Sequence, residues 1–372
     1  MQTAATDLPV HMRAAVYRGK SVVSVDEVAT PEIGSGEILI RVEACGVCHT
    51  DLKKIEYDLL TPPRIYGHET AGVVAAVGAN VTKYVPGDRV IVFHHIPCGT
   101  CFYCQRKLYA QCPVYKKVGV TAGYEPAGGG FSQYVRVMDW IVERGVEVIP
   151  EGVPFETAAF VEPANTCLKA VEQCDPQPGD VVLVQGQGPI GLLFTMLLKL
   201  RGCTIVTTDT IPLRLDLSGK CGAHFALDPR TVDVAGKLKE LTDGRGADMV
   251  FVATNVHGLV EEAIRCTRPG ARIMLFAQTS DKERIELSGA SICVGERTLL
   301  GSYSASMDLQ AESADLVFSG KLPVHLLISH CVPLDKIGFA FRLATHPGEF
   351  PEENPLKIVV KPQELTPAEA EL

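Results

Sequence analysis

Between Asp180 and Asp209 the chain runs through an apolar stretch, a glycine turn, a helical pattern and a second apolar stretch, and few folds accept that order. Val181-Val-Leu-Val leads into Gly186-Gln187-Gly188-Pro189-Ile190-Gly191, and Pro189 to Leu200 then has the composition of a helix. Thr204-Ile-Val-Thr-Thr follows and ends at Asp209, eighteen residues past Gly191. A glycine turn placed between a strand and a helix lets the backbone approach a pyrophosphate, and the amide groups of the helix N-terminus favour the negative charge. Gly186, Gly188, Pro189, Ile190 and Gly191 are therefore candidate cofactor contacts. Asp209 would accept hydrogen bonds from adenosine ribose hydroxyls and repel a 2′-phosphate, which favours NAD over NADP. Arg214 lies nearby and could act in the opposite sense. Further alternation follows: Phe225-Ala-Leu, a helix from Val234 to Leu241, a strand from Met249, a helix from Val256 to Cys266 and a strand from Ala271. The count and order predict a doubly wound parallel sheet.

The 372 residues are long enough for two domains. Before about residue 160 the rhythm differs, with short apolar runs at Met12, Glu37, Ala71, Asp88 and Gln133 broken by Gly and Pro. That rhythm predicts an irregular β domain. After about residue 300 a helix from Leu309 to Ser319 and a closing strand from Leu356 suggest a return to the first domain. The expected division is 1–163, 164–300 and 301–372, with a short leading extension and a loose Pro- and Glu-rich tail from Pro362. A net charge of −9 and a pI near 5.6 leave no basic footprint for nucleic acid or an anionic membrane. The apolar run Pro189 to Leu198 is too short to span a bilayer, and Met1 to Met12 lacks a signal-peptide pattern. A soluble, cytoplasmic chain is expected, with no nucleic-acid or membrane partner.

The thirteen cysteines include two groups with chemical meaning. Cys98-x-x-Cys101-x-x-Cys104 with Cys112 can surround a tetrahedral zinc and leave no open position, so that site reads as structural. An iron–sulfur cluster is the competing reading, against which the gap before Cys112 argues. In the second group, Cys45-Gly46-Val47-Cys48-His49-Thr50-Asp51 precedes Gly67-His68-Glu69. Cys48 and His68 suit zinc, and a catalytic zinc keeps a third protein ligand and one open position. Glu69 and Glu162, the latter in Phe160-Val-Glu-Pro-Ala-Asn-Thr-Cys, are both candidates. The other cysteines read as small buried apolar residues.

Taken together, these residues resemble the zinc-dependent medium-chain dehydrogenase/reductase family from Met12 to about Pro362, and Glu162 in its Glu-Pro context looks like the polyol (sorbitol-type) and threonine branches. The resemblance implies an α/β protein with a GroES-like β-rich catalytic domain and a Rossmann cofactor domain. It implies two zinc ions, one catalytic and one structural, NAD as cofactor, and hydride transfer from a secondary hydroxyl of a polyol, sugar or cyclitol. It also implies a homo-oligomer, dimer or tetramer. Either Glu69 or Glu162 would be a direct ligand; in sorbitol-type relatives the glutamate after the zinc histidine, here Glu69, would bind the metal and the later one, Glu162, would hold the zinc-bound water. By the same carry-over Thr50 begins a proton relay, Asp51 holds the zinc histidine, His49 lies by the pyrophosphate and Thr166 by the nicotinamide. Where many relatives end the relay at a histidine, this chain has Lys53, and His94-His95 stands where simple alcohol dehydrogenases place an aromatic wall. The alternatives are a threonine, amino-alcohol or simple alcohol dehydrogenase of the same family, and a non-catalytic or redox-sensing relative.

Overall fold

The structure is a computed structural model that describes residues 8–94, 96–115, 128–277 and 284–363. The first part of the leading extension, His95 and the tail beyond 363 lie outside the described residues. The chain divides into two compact units, one of Met1–Glu162 with Gln310–Leu372 and one of Pro163–Leu309. The second crossing falls at 309/310, whereas the expected boundary was 300/301. The cause is local to the second unit. Asn165 holds Ser306 at both backbone groups (Nδ2 to the carbonyl at 3.1 Å, Oδ1 from the amide at 2.7 Å), and Lys169 Nζ donates to the Tyr303 carbonyl at 2.8 Å. Residues 303–306 are thereby tied to the helix Val161–Cys174.

In the first unit the strand Ile38–Gly46 is buried along almost its whole length and has neighbours on both edges. Glu69–Val77 pairs with it on one side; on the other, Tyr134–Val137 takes its first half and Lys357–Lys361 its last two residues. Continuous burial explains the unbroken apolar run Ile38-Leu39-Ile40, where a half-exposed strand would alternate. The full sheet runs Ile328–Pro333, Lys357–Lys361, Ile38–Gly46, Glu69–Val77, Arg89–Val92, Val146–Val148. A separate three-stranded sheet places His11–Gly19 between Val22–Ala29 and Arg64–Ile65. Val22–Ala29 was not anticipated. It is a largely half-exposed edge strand in which Ser24, Asp26 and Glu27 break the run of valines, so neither a continuous apolar run nor a clean alternation marks it.

The second unit holds six parallel strands in the order Phe225–Leu227, Thr204–Thr208, Val181–Gln185, Ala247–Val252, Thr267–Leu275, Thr298–Gly301. The expected doubly wound sheet is therefore present. Val181, Leu183, Val206, Val250 and Ile273 pack in its core, and each fully buried side chain of this size contributes ~1.5–3 kcal/mol relative to exposure. The strand order reverses between Val181–Gln185 and its neighbours, which is where such sheets bind nucleotides. The predicted helix from Val256 is shorter, Leu259–Cys266, since Gly258 precedes it in a left-handed conformation.

Candidate active site

Cys48 caps the helix His49–Glu56 at its N-terminus, and its sulfur accepts the Thr50 amide at 3.5 Å. Three residues along the same helix, Asp51 is fully buried, and its two oxygens lie 3.1 and 2.9 Å from His68 Nδ1. Burial alone would lower the His68 pKa, but Asp51 and Cys48 outweigh it and hold the imidazole well above its ordinary value. With Nδ1–H donated to Asp51, Nε2 is the nitrogen left for a ligand. Gly67 makes the turn that delivers His68: its φ is +103°, and an added Cβ would come within 2.8 Å of Cys45 Sγ and the Phe131 amide nitrogen.

One ligand atom each from Cys48, His68 and Glu69 lies within 4.8 Å of the others. Glu162, in the first turn of Val161–Cys174, is not one of that group. It is buried beside His94, with Oε1 3.8 Å from His94 Nδ1, and the His94 ring centroid is 4.9 Å from that of His68. Burial pushes the Glu162 carboxyl up to about 7, with His68 opposing and Glu69 reinforcing the rise. A cation held close by would draw it down again. Thr50 and Lys53 are half-buried on the helix after Cys48, and His49 is exposed.

Sequence reasoning missed Lys357. This buried lysine donates to Glu69 Oε1 at 2.6 Å, also pairs with Glu69 Oε2, and donates to the Val47 carbonyl at 3.1 Å. Burial would lower its pKa, yet Glu69 and Cys48 keep it above the ordinary lysine value. The available signal was a charge inside the apolar run Leu356-Lys-Ile-Val-Val. Counted together, the buried carboxyls of Asp51, Glu69 and Glu162 and the Cys48 thiol face one lysine, Lys357, and two histidines, His68 and His94. Buried charge in such excess calls for a metal cation, and the mixed sulfur, nitrogen and oxygen donors fit zinc.

The sulfurs of Cys98, Cys101, Cys104 and Cys112 also lie within 4.8 Å of one another. Backbone amides supply the local electrostatics. Those of Thr100 and Cys101 hold the Cys98 thiol down at about 6, and the Cys98 amide donates to Cys112 Sγ at 3.4 Å. Four sulfurs with amide donors around them fit a closed zinc site.

In the second unit the helix Pro189–Leu200 begins at Gly188 with no side-chain cap, and a Cβ added at Gly188 would meet nothing within 4 Å. Open amides facing open space fit a phosphate group. Gly186 ends the strand Val181–Gln185, Ile190 is half-buried in the first turn, and the side chain of Gln187 is folded inward onto Thr195 and the Gly186 carbonyl. Asp209 already accepts two backbone amides, Gln187 N at 2.7 Å and Ile211 N at 2.9 Å. A carboxylate has lone pairs beyond these for ribose hydroxyls. Arg214 is half-buried on the helix Pro212–Cys221, and Thr166 is buried with its hydroxyl on the Pro163 carbonyl at 2.9 Å.

Comparison with known proteins agrees with this chemistry. An alcohol dehydrogenase GroES-like domain matches residues 34–146, and a zinc-binding dehydrogenase domain matches 189–319. A sorbitol dehydrogenase of Bacillus subtilis (strain 168) is 31% identical over 302 residues, 80% of this chain and 83% of that protein. An L-threonine 3-dehydrogenase of Pyrococcus furiosus is 31% identical over 340 residues, 89% of this chain and 94% of the relative. A solved zinc-binding dehydrogenase from Sinorhizobium meliloti 1021, bound to NADP, has a TM-score of 0.84 at 27% identity and covers 95% of this chain and 100% of its own. Fold, donor sets and relatives define an oxidoreductase that acts on CH–OH groups. The chain belongs to the zinc-dependent medium-chain dehydrogenase/reductase family, as its motifs led us to expect. Among the described residues no helix is long and apolar enough to cross a membrane.

Proposed function

We propose that this protein oxidises a secondary hydroxyl of a polyol, sugar or cyclitol, with zinc at Cys48, His68 and Glu69 and with NAD as hydride acceptor. The observation that carries the reading is the pair His94 and Glu162, both buried and set against His68, which offers a substrate polar groups where a simple alcohol would meet an apolar wall. Bound zinc supplies Lewis acidity that lowers the pKa of a hydroxyl towards ~7, and bound NAD takes the hydride. The chain's own residues do the rest. Asp51 keeps His68 in one tautomer and orientation through Nδ1. Glu162, beside rather than within the Cys48, His68 and Glu69 cluster, can exchange a proton with substrate at its carboxylate oxygens. Thr50 is the first acceptor for the proton that must leave, and Lys53 lies one turn further along the same helix. Cys98, Cys101, Cys104 and Cys112 would hold the second, structural zinc.

NAD preference rests on Asp209, whose charge opposes a 2′-phosphate. Arg214 and the NADP-bound relative make NADP the necessary comparison. A homo-oligomer is carried over from the family resemblance, and cytoplasmic residence is read from the cysteine pattern. Cysteines held as thiols outside any disulfide suit a reducing compartment, and light scattering on the purified protein reads the oligomer.

The test is cofactor reduction by zinc-loaded protein across polyols, cyclitols, sugars, threonine and primary alcohols, with NAD and NADP, before and after chelation. Chelator-sensitive turnover of polyols or sugars with NAD is expected. Preference for threonine would replace the polyol reading with the amino-alcohol one, and turnover that survives complete zinc removal would overturn the zinc assignment.

A further inference from the structure

Lys357 opens the strand Lys357–Lys361, and 288 residues separate it from Glu69, its partner in the first unit. Burying an ammonium group is costly unless its hydrogen bonds are made, so its position is specified by what it meets. It meets two parts of the metal cluster. Its Nζ donates to Glu69 Oε1 at 2.6 Å and to the Val47 carbonyl at 3.1 Å, and Val47 is the residue before Cys48. The next residue completes the hold, because the Ile358 carbonyl accepts the Val47 amide at 2.9 Å. Both backbone groups of Val47 are therefore taken by residues 357 and 358. Register adds a third constraint: Gly46 lies opposite Glu69 in one pairing and opposite Val359 in another. A Cβ at Gly46 would fall on Glu69 Oε2 and 2.8 Å from Lys357 Cε, so the missing side chain leaves the space in which the ion pair sits.

We propose that Lys357 is a positioning residue for the metal site, fixing Glu69 directly and Cys48 through Val47, so that two of the three ligands are placed only when the closing strand is in register. The proposal rests on the reading of Cys48, His68 and Glu69 as the ligands. A merely structural ion pair would act on stability alone, and replacing such a pair by apolar groups of similar volume is often neutral. A positioning role instead predicts a metal-specific loss. Groups that orient ligands typically account for 10- to 100-fold in metal affinity.

The experiment compares wild type, Lys357→Met, Lys357→Arg and Cys48→Ser as full-length, metal-loaded proteins. It measures zinc per chain during chelator competition and the visible absorption of the cobalt-substituted protein. Wild type is expected to hold two metals and Cys48→Ser one; if Cys48→Ser keeps both, the underlying ligand assignment fails. Lys357→Met should give up one metal at a chelator concentration about tenfold or more below wild type, with altered cobalt bands, while the four-cysteine metal stays. Lys357→Arg should recover part of the difference. Wild-type retention and an unchanged cobalt spectrum in Lys357→Met, with Cys48→Ser losing its metal, would overturn this inference alone. Should Lys357→Met fail to fold, Glu69→Gln with Lys357→Met is compared with Glu69→Gln. The double variant should bind zinc about tenfold more weakly because the Val47 tether is still lost, and equal binding would overturn the proposal.

Discussion

The two groups of the first unit that could hold a metal are built in opposite ways. The four-cysteine lobe draws every ligand from Cys98 to Cys112, and its sulfurs are partnered by amides of the same loop. The mixed cluster takes Cys48 from a helix N-terminus and His68 and Glu69 from a turn and strand start, with Glu162 of another helix and Lys357 of the final strand beside it. It is also the one with buried carboxylates. A site closed on itself by one loop can stabilise that loop. A site assembled from distant parts can leave a coordination position open and surround it with groups that hold or move protons.

If the contrast is right, damage to the mixed cluster should appear in turnover and damage to the lobe in stability. The largest effect on turnover is expected from Cys48→Ser. Loss of on the order of 4 kcal/mol of Lewis-acid stabilisation corresponds to about 10³-fold in kcat/KM by steady-state kinetics. Glu162→Ala should follow, with kcat lower by about 10²-fold and a melting midpoint near that of wild type. Intact turnover there would remove Glu162 from the chemistry. Asp51→Asn should cost roughly 10- to 100-fold in zinc affinity or activity, read by chelator titration, because His68 loses the partner that orients it. Cys101→Ser should change turnover per folded molecule least, yet destabilise by on the order of 3 kcal/mol, roughly 6–12 °C in a calorimetric scan. A Cys101→Ser protein that melts like wild type but turns over slowly would erase the distinction between the clusters.

Outside that contrast, Asp209→Ser should shift the NAD to NADP preference by about tenfold, equivalent to ~1.4 kcal/mol, read from the two kcat/KM values. No shift would mean that another group reads the ribose.

Legibility followed locality. The glycine turn, its flanking strand and helix and the Cys98 to Cys112 lobe were readable because their partners are near in sequence, and helix bounds such as Pro189–Leu200 and Val234–Leu241 match the reading. The half-exposed edge strand Val22–Ala29 escaped because its valines are interrupted by Ser24, Asp26 and Glu27 and its pairing with His11–Gly19 completes it. The chain leaves the second unit at 309/310 and not near residue 300 because Asn165 and Lys169 hold residues 303–306, a contact that no local pattern announces.

By itself the sequence determined the donor chemistry, the two-unit order and the family, since ligand type, spacing and hydrophobic period are properties of short segments. Only the tertiary structure decided which carboxylate lies with Cys48 and His68, that Glu162 lies beside His94, and that Lys357 closes on Glu69. Those are contacts between strands and helices brought together by burial, and the energy that specifies them comes from satisfying buried charges that have no partner until the sheet is complete.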